Sequence, residues 1–160
     1  MNEGAKVATG EILLFLHADT LLPHNALKEI HAILEKETIV AGAFDLSFDT
    51  KNVFLKLIAK VASLRTRITK LPYGDQAIFI KKKTFHELKG YEDIPLMEDI
   101  HLMQKIKAQN YKIKIIEKKV ITSTRKWQES GIIYTTLRNW FLQLLYFFGV
   151  HPNKLSKYYK

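Results

Sequence analysis

The order of apolar and polar segments predicts an α/β fold with an apolar helical extension at the C-terminus. The uninterrupted apolar run Ile12–Leu16 is typical of a strand buried on both faces, and it stops abruptly at polar residues. Segments with strand spacing and helix spacing then follow one another as far as residue 122. From Gly131 to Val150 the chain is apolar on nearly every side. We therefore expect an α/β domain over residues 1–130 and a helical extension over residues 131–160.

The individual elements are predicted from local signals. A proline is favoured in the first turn of a helix, and apolar residues at helical spacing mark a helix with one apolar face. On the helix predicted for residues 53–69, that face consists of Phe54, Leu57, Ile58, Val61 and Leu64. The expected elements are a helix over residues 2–9, a strand over Ile12–Leu16, a helix from Pro23 to about Glu37, a strand over Ile39–Phe48, a helix over residues 53–69, a turn over Pro72–Asp75, a strand over Gln76–Lys81, a helix over Thr84–Leu88, a helix over Leu96–Gln109, and one or two strands over Lys112–Thr122.

The composition excludes some classes of function. The chain has 160 residues, 47% of them hydrophobic and 26% charged, which is usual for a folded domain. It contains no cysteine, so a disulfide scaffold and a thiolate metal site are both excluded. The net charge of +9 favours an anionic partner: a nucleic acid, an anionic membrane surface or a phosphorylated substrate. Dispersed basic residues and the lack of a recognised binding motif argue against nucleic acid.

Two acidic motifs are candidates for chemistry on residue type alone. Asp19 follows a predicted strand, and open α/β sheets bind ligands at such strand ends. The alternative is that Asp19 and Thr20 begin a turn before the next helix. Glu98 and Asp99 begin a helix, where adjacent acids commonly interact with the helix dipole. The residues alone leave these alternatives open.

Four segments, in this order, resemble the family-two glycosyltransferases with a GT-A fold. They are Gly10–Thr20, Gly74–Gln76, Gly90-Tyr91 before Glu98-Asp99, and Arg125–Trp127. They look most like a bacterial subgroup whose strand end reads HADT, and the resemblance covers essentially the whole chain. It implies a GT-A-like, Rossmann-like mixed sheet flanked by helices. It also implies that nucleotide-binding units precede this chain, so we expect an N-terminally truncated domain that binds nucleotide sugars poorly.

The same resemblance implies a metal site and a catalytic base. Asp19 takes the place of a carboxylate ligand in the family's Asp-x-Asp element, and His17 stands where the general pattern has another acid. Together they imply a divalent metal, Mn²⁺ or Mg²⁺, on the donor diphosphate. Asp99 takes the place of the base that removes the proton of the acceptor hydroxyl in an inverting displacement. Glu98 is then a supporting or acceptor-binding acid.

Two further segments are expected to bind substrate. By the resemblance, Gly74, Asp75 and Gln76 line the donor sugar and the acceptor, although a plain turn leading into a strand explains them equally well. Arg125 is expected to neutralise pyrophosphate. Trp127 is expected either to stack on a sugar or to pack beneath a loop.

The sequence thus predicts an enzyme that transfers a sugar from a nucleotide-sugar donor to a hydroxyl acceptor, lipid or saccharide. The alternatives are a non-catalytic remnant of such an enzyme and a basic domain that binds a membrane surface or nucleic acid. We expect a cytoplasmic protein. Arg138, Asn139 and Gln143 make a membrane span costly, so residues 131–150 are expected either to lie flat on the inner face of the cell membrane or to pack against protein.

Overall fold

The computed structural model describes residues 1–159 and confirms the α/β fold with a mixed, GT-A-like sheet. Its five strands lie in the spatial order β1-β4-β3-β5-β2. The pair β3 and β5 is parallel, whereas β4 runs antiparallel to both β1 and β3. The strands β1, β3 and β5 therefore point the same way and end at one edge of the sheet. The strands are β1 Ile12–Phe15, β2 Thr20–Leu21, β3 Ile39–Phe48, β4 Ile78–Lys81 and β5 Lys112–Thr122.

The described residues also form eight α-helices and two 3-10 turns. The 3-10 turns are Gly74–Gln76 and Ser156–Tyr158. The helices are α1 Asn2–Val7, α2 Ala26–Leu34, α3 Val53–Thr69, α4 Lys82–Glu87, α5 Glu98–Ala108, α6 Arg125–Ser130, α7 Ile132–Phe147 and α8 Pro152–Leu155.

Each face of the sheet has its own apolar core, because successive side chains of a strand point to opposite faces. Ile78 and Ile80 of β4 belong to a cluster that includes Met103 of α5. Phe79, between them, belongs to the other cluster with Ile30 of α2 and Leu55 of α3. Helix α5 therefore covers one face of the sheet, and α2 and α3 cover the other.

Several predicted boundaries are confirmed and others are wrong. The strand β3 and the helix α3 have the predicted bounds, and Lys112–Thr122 forms one long strand. The predicted strand Ile12–Leu16 ends one residue earlier, and only Leu13 in it is buried. Its expected burial on both faces is wrong because β1 lies at the edge of the described sheet.

The predicted starts of α2 and β4 are also wrong. Asn25 adopts a left-handed conformation with φ of 61°, so α2 begins at Ala26 instead of Pro23. The turn Gly74–Gln76 delays β4 to Ile78. The elements β2 and α6 were not predicted, whereas α8 lies within the predicted helical extension.

Helix α3 is attached to the sheet by its polar side. The backbone N–H of Leu46 donates a 2.9 Å hydrogen bond to Ser63 Oγ, and Arg67 forms an ion pair with the buried Asp45. Because these polar groups face the sheet, most of the predicted apolar face of α3 points to solvent. Phe54 and Leu64, for example, are 72% and 58% exposed.

Helix α7 has the same inverted arrangement. Its buried residues include Thr135, Arg138 and Gln143, part of the polar stripe seen in the sequence. Ile133 and Phe141 on its other side are 76% and 58% exposed. Its apolar face is thus not covered by the rest of residues 1–159. No helix in that range is long and apolar enough to cross a membrane.

Candidate active site

A cleft of about 410 Å³ lies where β1, β3 and β5 end. Open α/β sheets bind ligands at such carboxyl edges, because the loops that follow the strands converge there. The cleft walls come from four parts of the chain: the loop after β1, the turn Gly74–Gln76, the start of α5, and the helices that follow β5. Of the nine site residues predicted from the sequence, all but Gln76 line it. They are His17, Asp19, Gly74, Asp75, Glu98, Asp99, Arg125 and Trp127.

His17 and Asp19 lie in the short loop between β1 and β2. The backbone N–H of Thr20 donates a 3.1 Å hydrogen bond to the His17 carbonyl, so a turn does form here. The Thr20 hydroxyl donates a 3.0 Å hydrogen bond to Thr122 Oγ1, which ties the loop to β5. The side chains of His17 and Asp19 remain exposed toward the cleft. The two alternatives for Asp19 are therefore compatible, since it belongs to a turn and also faces a ligand-sized space.

The backbone of Gly74 lies next to two predicted site residues, His17 of the loop after β1 and Asp99 at the start of α5. Its backbone N–H donates a 2.9 Å hydrogen bond to Asp99 Oδ2. A Cβ at this position would lie 2.7 Å from Asp99 Oδ2 and 2.7 Å from His17 Nε2, a distance that real Cβ atoms do not tolerate. A larger residue at position 74 would therefore displace the Asp99 carboxylate and the His17 imidazole, since both side chains pack directly on the glycine backbone.

Asp99 has an environment suited to a proton acceptor. Burial and the neighbouring negative charge of Glu98 raise its pKa to about 7. The hydrogen bond from the Gly74 N–H acts in the opposite direction, because it favours the ionised form. Its Oδ1 is inaccessible to solvent and has no hydrogen-bond partner within residues 1–159. The nearby Tyr91 hydroxyl has a raised pKa, first through burial and then through the charge of Asp99. A base whose pKa lies near neutral pH is the one that general-base catalysis favours.

The helix-dipole alternative explains less of this geometry. Glu98 and Asp99 occupy the first turn of α5, where acids interact favourably with the dipole. However, the hydrogen bond that Asp99 accepts comes from Gly74, 25 residues away, and not from the N-terminal amides of α5. The orientation of Asp99 is thus set by the cleft as well as by the helix.

Asp75 is the second carboxyl group of the cleft that is withdrawn from solvent. Burial raises its pKa to about 6, opposed by the positive charges of His17 and Arg65. Its Oδ1 also has no hydrogen-bond partner among the described residues. Because Asp75 as a residue is only partly buried and lines the cleft, its carboxyl group is suited to accept a hydrogen bond from a sugar hydroxyl.

The prediction that Gln76 binds substrate is not supported, because its side chain is fully buried and its polar atoms are occupied. Its Nε2 donates a 2.9 Å hydrogen bond to the Phe44 carbonyl. Its Oε1 accepts hydrogen bonds from the Thr66 hydroxyl at 2.9 Å and from the Tyr73 N–H at 3.2 Å. Gln76 anchors the 3-10 turn to β3 and α3, and so holds Gly74 and Asp75 in place.

Arg125 and Trp127 differ in their exposure. Arg125 is exposed at the cleft, with its Nε 3.9 Å from Glu129 Oε1, and remains accessible to an anion. The Trp127 ring lies 4.7 Å from the Phe48 ring, centroid to centroid. The indole therefore packs against the end of β3, and since it also lines the cleft, both of its predicted roles stay open.

Sequence reasoning missed the pair Arg65 and Tyr73. The Arg65 guanidinium lies 4.1 Å above the Tyr73 ring and donates to the Leu71 carbonyl at 3.1 Å. Burial raises the pKa of Tyr73, which lines the cleft, to about 12. Because Tyr73 directly precedes Gly74 in the sequence, it could have been predicted to line the cleft as well. Nothing in the sequence indicates that Arg65 reaches this turn.

The segment after residue 131 also contributes to the cleft. Asn139 and Trp140 of α7 and Tyr159 near the C-terminus are among its lining residues. Lys126 makes a cation–π contact with Tyr159, with its Nζ 3.7 Å from the ring centroid. The predicted division into residues 1–130 and 131–160 therefore does not separate the site from the extension.

The donor atoms present are compatible with a shared metal ion. Residues 1–159 contain no group of three or more His, Asp or Glu side chains placed to enclose an ion by themselves. His17 and Asp19 offer one nitrogen and one carboxylate. Mg²⁺ and similar ions are commonly held by one or two protein ligands together with substrate phosphates and water. This set fits an ion that arrives with a diphosphate, rather than a permanent protein-enclosed site.

Comparison with known families agrees with the resemblance seen in the sequence. Residues 1–90 match the family described as Glycosyl transferase family 2. The match includes the loop of His17 and Asp19 and the turn at Gly74, and it ends before Glu98 and Asp99. No curated protein matches the chain closely enough to count as a relative.

Proposed function

The chain belongs to glycosyltransferase family 2, and we propose that it transfers a sugar from a nucleotide-sugar donor to an acceptor hydroxyl with inversion at the anomeric carbon. Membership of the family supports glycosyl transfer in general. The observation that carries the specific proposal is the meeting of His17 and Asp99 on Gly74. The proximity of both side chains to Gly74 supports the proposal, because it brings the loop proposed to bind the diphosphate near the proposed base.

Asp99 is the proposed base. Its ionised carboxylate takes the proton of the acceptor hydroxyl while that oxygen forms a bond to the anomeric carbon. The bond from the anomeric carbon to the diphosphate oxygen breaks on the opposite side, and the nucleoside diphosphate leaves with the bonding electrons. The Gly74 N–H holds Oδ2 of this carboxylate and so orients Asp99 at the wall of the cleft.

His17 and Asp19 are the residues proposed to hold a divalent ion, which would neutralise charge on the departing diphosphate. Arg125, exposed at the same cleft, supplies a permanent positive charge for the diphosphate. Asp75 and Tyr73 are proposed to orient sugar hydroxyls, because both line the cleft next to Gly74. The protein thus positions the two substrates and moves one proton.

A panel of nucleotide sugars tests the proposal. ³¹P NMR would follow the release of nucleoside diphosphate with Mn²⁺ and with simple hydroxyl acceptors, and ¹H coupling constants would give the anomeric configuration of the product. Because this chain is expected to bind nucleotide sugars poorly, the donors are supplied at high concentration, and we expect slow release from at least one of them, with an inverted product. A folded protein that releases diphosphate from no donor would instead support the non-catalytic remnant. A retained configuration would overturn the single-displacement mechanism.

A further inference from the structure

Helices α3 and α7 together form one exposed apolar surface, which we call the α3–α7 surface. On α3 its residues recur three or four positions apart, as expected for one helical face. On α7 they lie opposite the buried polar stripe. The members are Val53, Phe54, Leu57, Val61, Leu64 and Ile68 of α3 and Ile133, Tyr134, Leu137, Trp140, Phe141, Leu144 and Phe147 of α7, followed by Phe148.

A groove joins the two halves of this surface. It has a volume of about 590 Å³ and runs between Phe54 and Leu57 of α3 and Ile133 and Leu137 of α7. Ile58, at its floor, also lines the candidate active-site cleft, as does Thr136. The apolar surface and the cleft are therefore adjoining parts of one face of the molecule.

The two helices of the α3–α7 surface carry lysine and arginine but no acidic residue. Residues 50–74 and 130–160, which include α3 and α7, contain no aspartate and no glutamate. Lys56 and Lys60 are exposed on α3 beside its apolar face. An amphipathic face with lysine at its border and tryptophan and tyrosine within it has the composition of a helix that lies in a lipid interface.

The same charges argue against a second copy of the chain as the occupant. A two-fold interface pairs a surface with itself. On this surface the pairing would place the lysines of α3 against two helices that offer no acidic partner. An anionic bilayer supplies the opposite charge to the lysines and a hydrocarbon layer to the apolar side chains.

We propose that the α3–α7 surface docks on an anionic lipid bilayer, with α3 and α7 both lying in the interface. The apolar side chains enter the headgroup and acyl boundary, and the lysines of α3 contact anionic headgroups. The cleft then opens beside the bilayer, so the acceptor is an amphiphile whose hydroxyl reaches Asp99 along the groove. This last consequence rests on the proposed glycosyl transfer, whereas docking does not.

Co-sedimentation with vesicles tests docking without any donor. Leu57→Glu together with Leu137→Glu places two negative charges on the rim of the groove. Leu27→Glu on α2 is the matched control, because Leu27 is 66% exposed but lies outside the surface. The unsubstituted chain and the control should pellet with phosphatidylcholine–phosphatidylglycerol vesicles, less so at high salt. The double variant should lose about tenfold in affinity for each leucine removed.

Equal pelleting of the double variant and the control, or no pelleting of the unsubstituted chain, would overturn the proposal. Light scattering provides the other decisive outcome. A dimer in vesicle-free solution that the double variant abolishes would assign the surface to a second copy. Circular dichroism should show unchanged folding in every variant, since all three leucines are exposed. If the unsubstituted chain releases diphosphate from a donor but does not pellet with vesicles, this proposal alone is contradicted and the glycosyl transfer stands.

Discussion

The cleft and the α3–α7 surface differ from the usual pattern of polar residues outside and apolar residues inside, and they do so in opposite ways. In the cleft, the carboxyl groups of Asp75 and Asp99 are withdrawn from water, with one oxygen of each lacking a partner among the described residues. On the α3–α7 surface, large side chains such as Phe54 and Ile133 face solvent. Neither arrangement favours folding: the buried carboxyl groups lose hydration, and the exposed apolar side chains contribute no free energy of burial. Buried carboxyl groups in a cleft and large exposed apolar patches are both typical of binding sites.

The difference lies in how each region is held. The cleft depends on specific contacts at single atoms, such as the hydrogen bond from Gly74 to Asp99. The surface depends on the summed area of many side chains. Single conservative substitutions should thus impair the cleft strongly and the surface weakly.

The largest expected effect is on catalysis by Asp99→Asn. Asparagine keeps the size of the side chain and an oxygen for the Gly74 N–H, but it cannot take a proton. Turnover should fall about 10²–10⁴-fold while donor binding survives. Glu98→Gln is the matched control and should be milder. If the two substitutions reduce turnover equally and act mainly on the melting temperature, Asp99 is a helix-dipole partner and the base is elsewhere, with Asp75 the next candidate.

A smaller effect is expected from Gly74→Ala. The added methyl would overlap Asp99 Oδ2 and His17 Nε2, and forcing such contacts costs about 1–3 kcal/mol of unfolding free energy. Turnover should fall too, because both displaced groups belong to the proposed site. Gly4→Ala is the control, since a Cβ there meets no atom within 4 Å. Urea denaturation that gives the same stability for both variants would mean that Gly74 is not packed as described.

The smallest expected effect is a shift in the pH dependence of turnover. Asp99 acts as a base only when ionised, so the rate should rise with pH through its pKa of about 7. Glu98→Gln removes a like charge, which lowers that pKa, and the rising limb should move to lower pH. Carboxyl ¹³C titration of the metal-free chain checks the assignment independently of rate. An unmoved Asp99 titration in Glu98→Gln would contradict the assigned cause.

The motif residues of the cleft were predictable from sequence because each follows a recognisable break in the hydrophobic pattern. His17 and Asp19 end an apolar run, and Glu98 and Asp99 begin a helix. Their meeting on Gly74 was not predictable, since it depends on how β1, the 3-10 turn and α5 pack in three dimensions. Gln76 shows the limit directly. Its neighbours line the cleft, but the 3-10 turn points its amide inward to the Phe44 carbonyl.

The amphipathic spacing of α3 was also visible in the sequence, but its orientation was not. Periodicity shows that one side of a helix is apolar without showing which side is buried. Here Ser63 and Arg67 bind the sheet, and their contacts with Leu46 and Asp45 turn the apolar side outward. The apolar side of α7 likewise gave no indication that Asn139 and Trp140 would line the cleft.

The most direct test of the account is to locate a divalent ion in the cleft. Substoichiometric Mn²⁺ added with a nucleoside diphosphate broadens ¹⁵N–¹H signals of amides near the ion. We expect broadening at Asp19 and Gly74, with sharp signals from α4, which follows β4 at the opposite edge of the sheet. Asp19→Ala should abolish the broadening without changing the fold. Broadening centred elsewhere, or persisting unchanged in Asp19→Ala, would contradict the assignment of this cleft as the donor site.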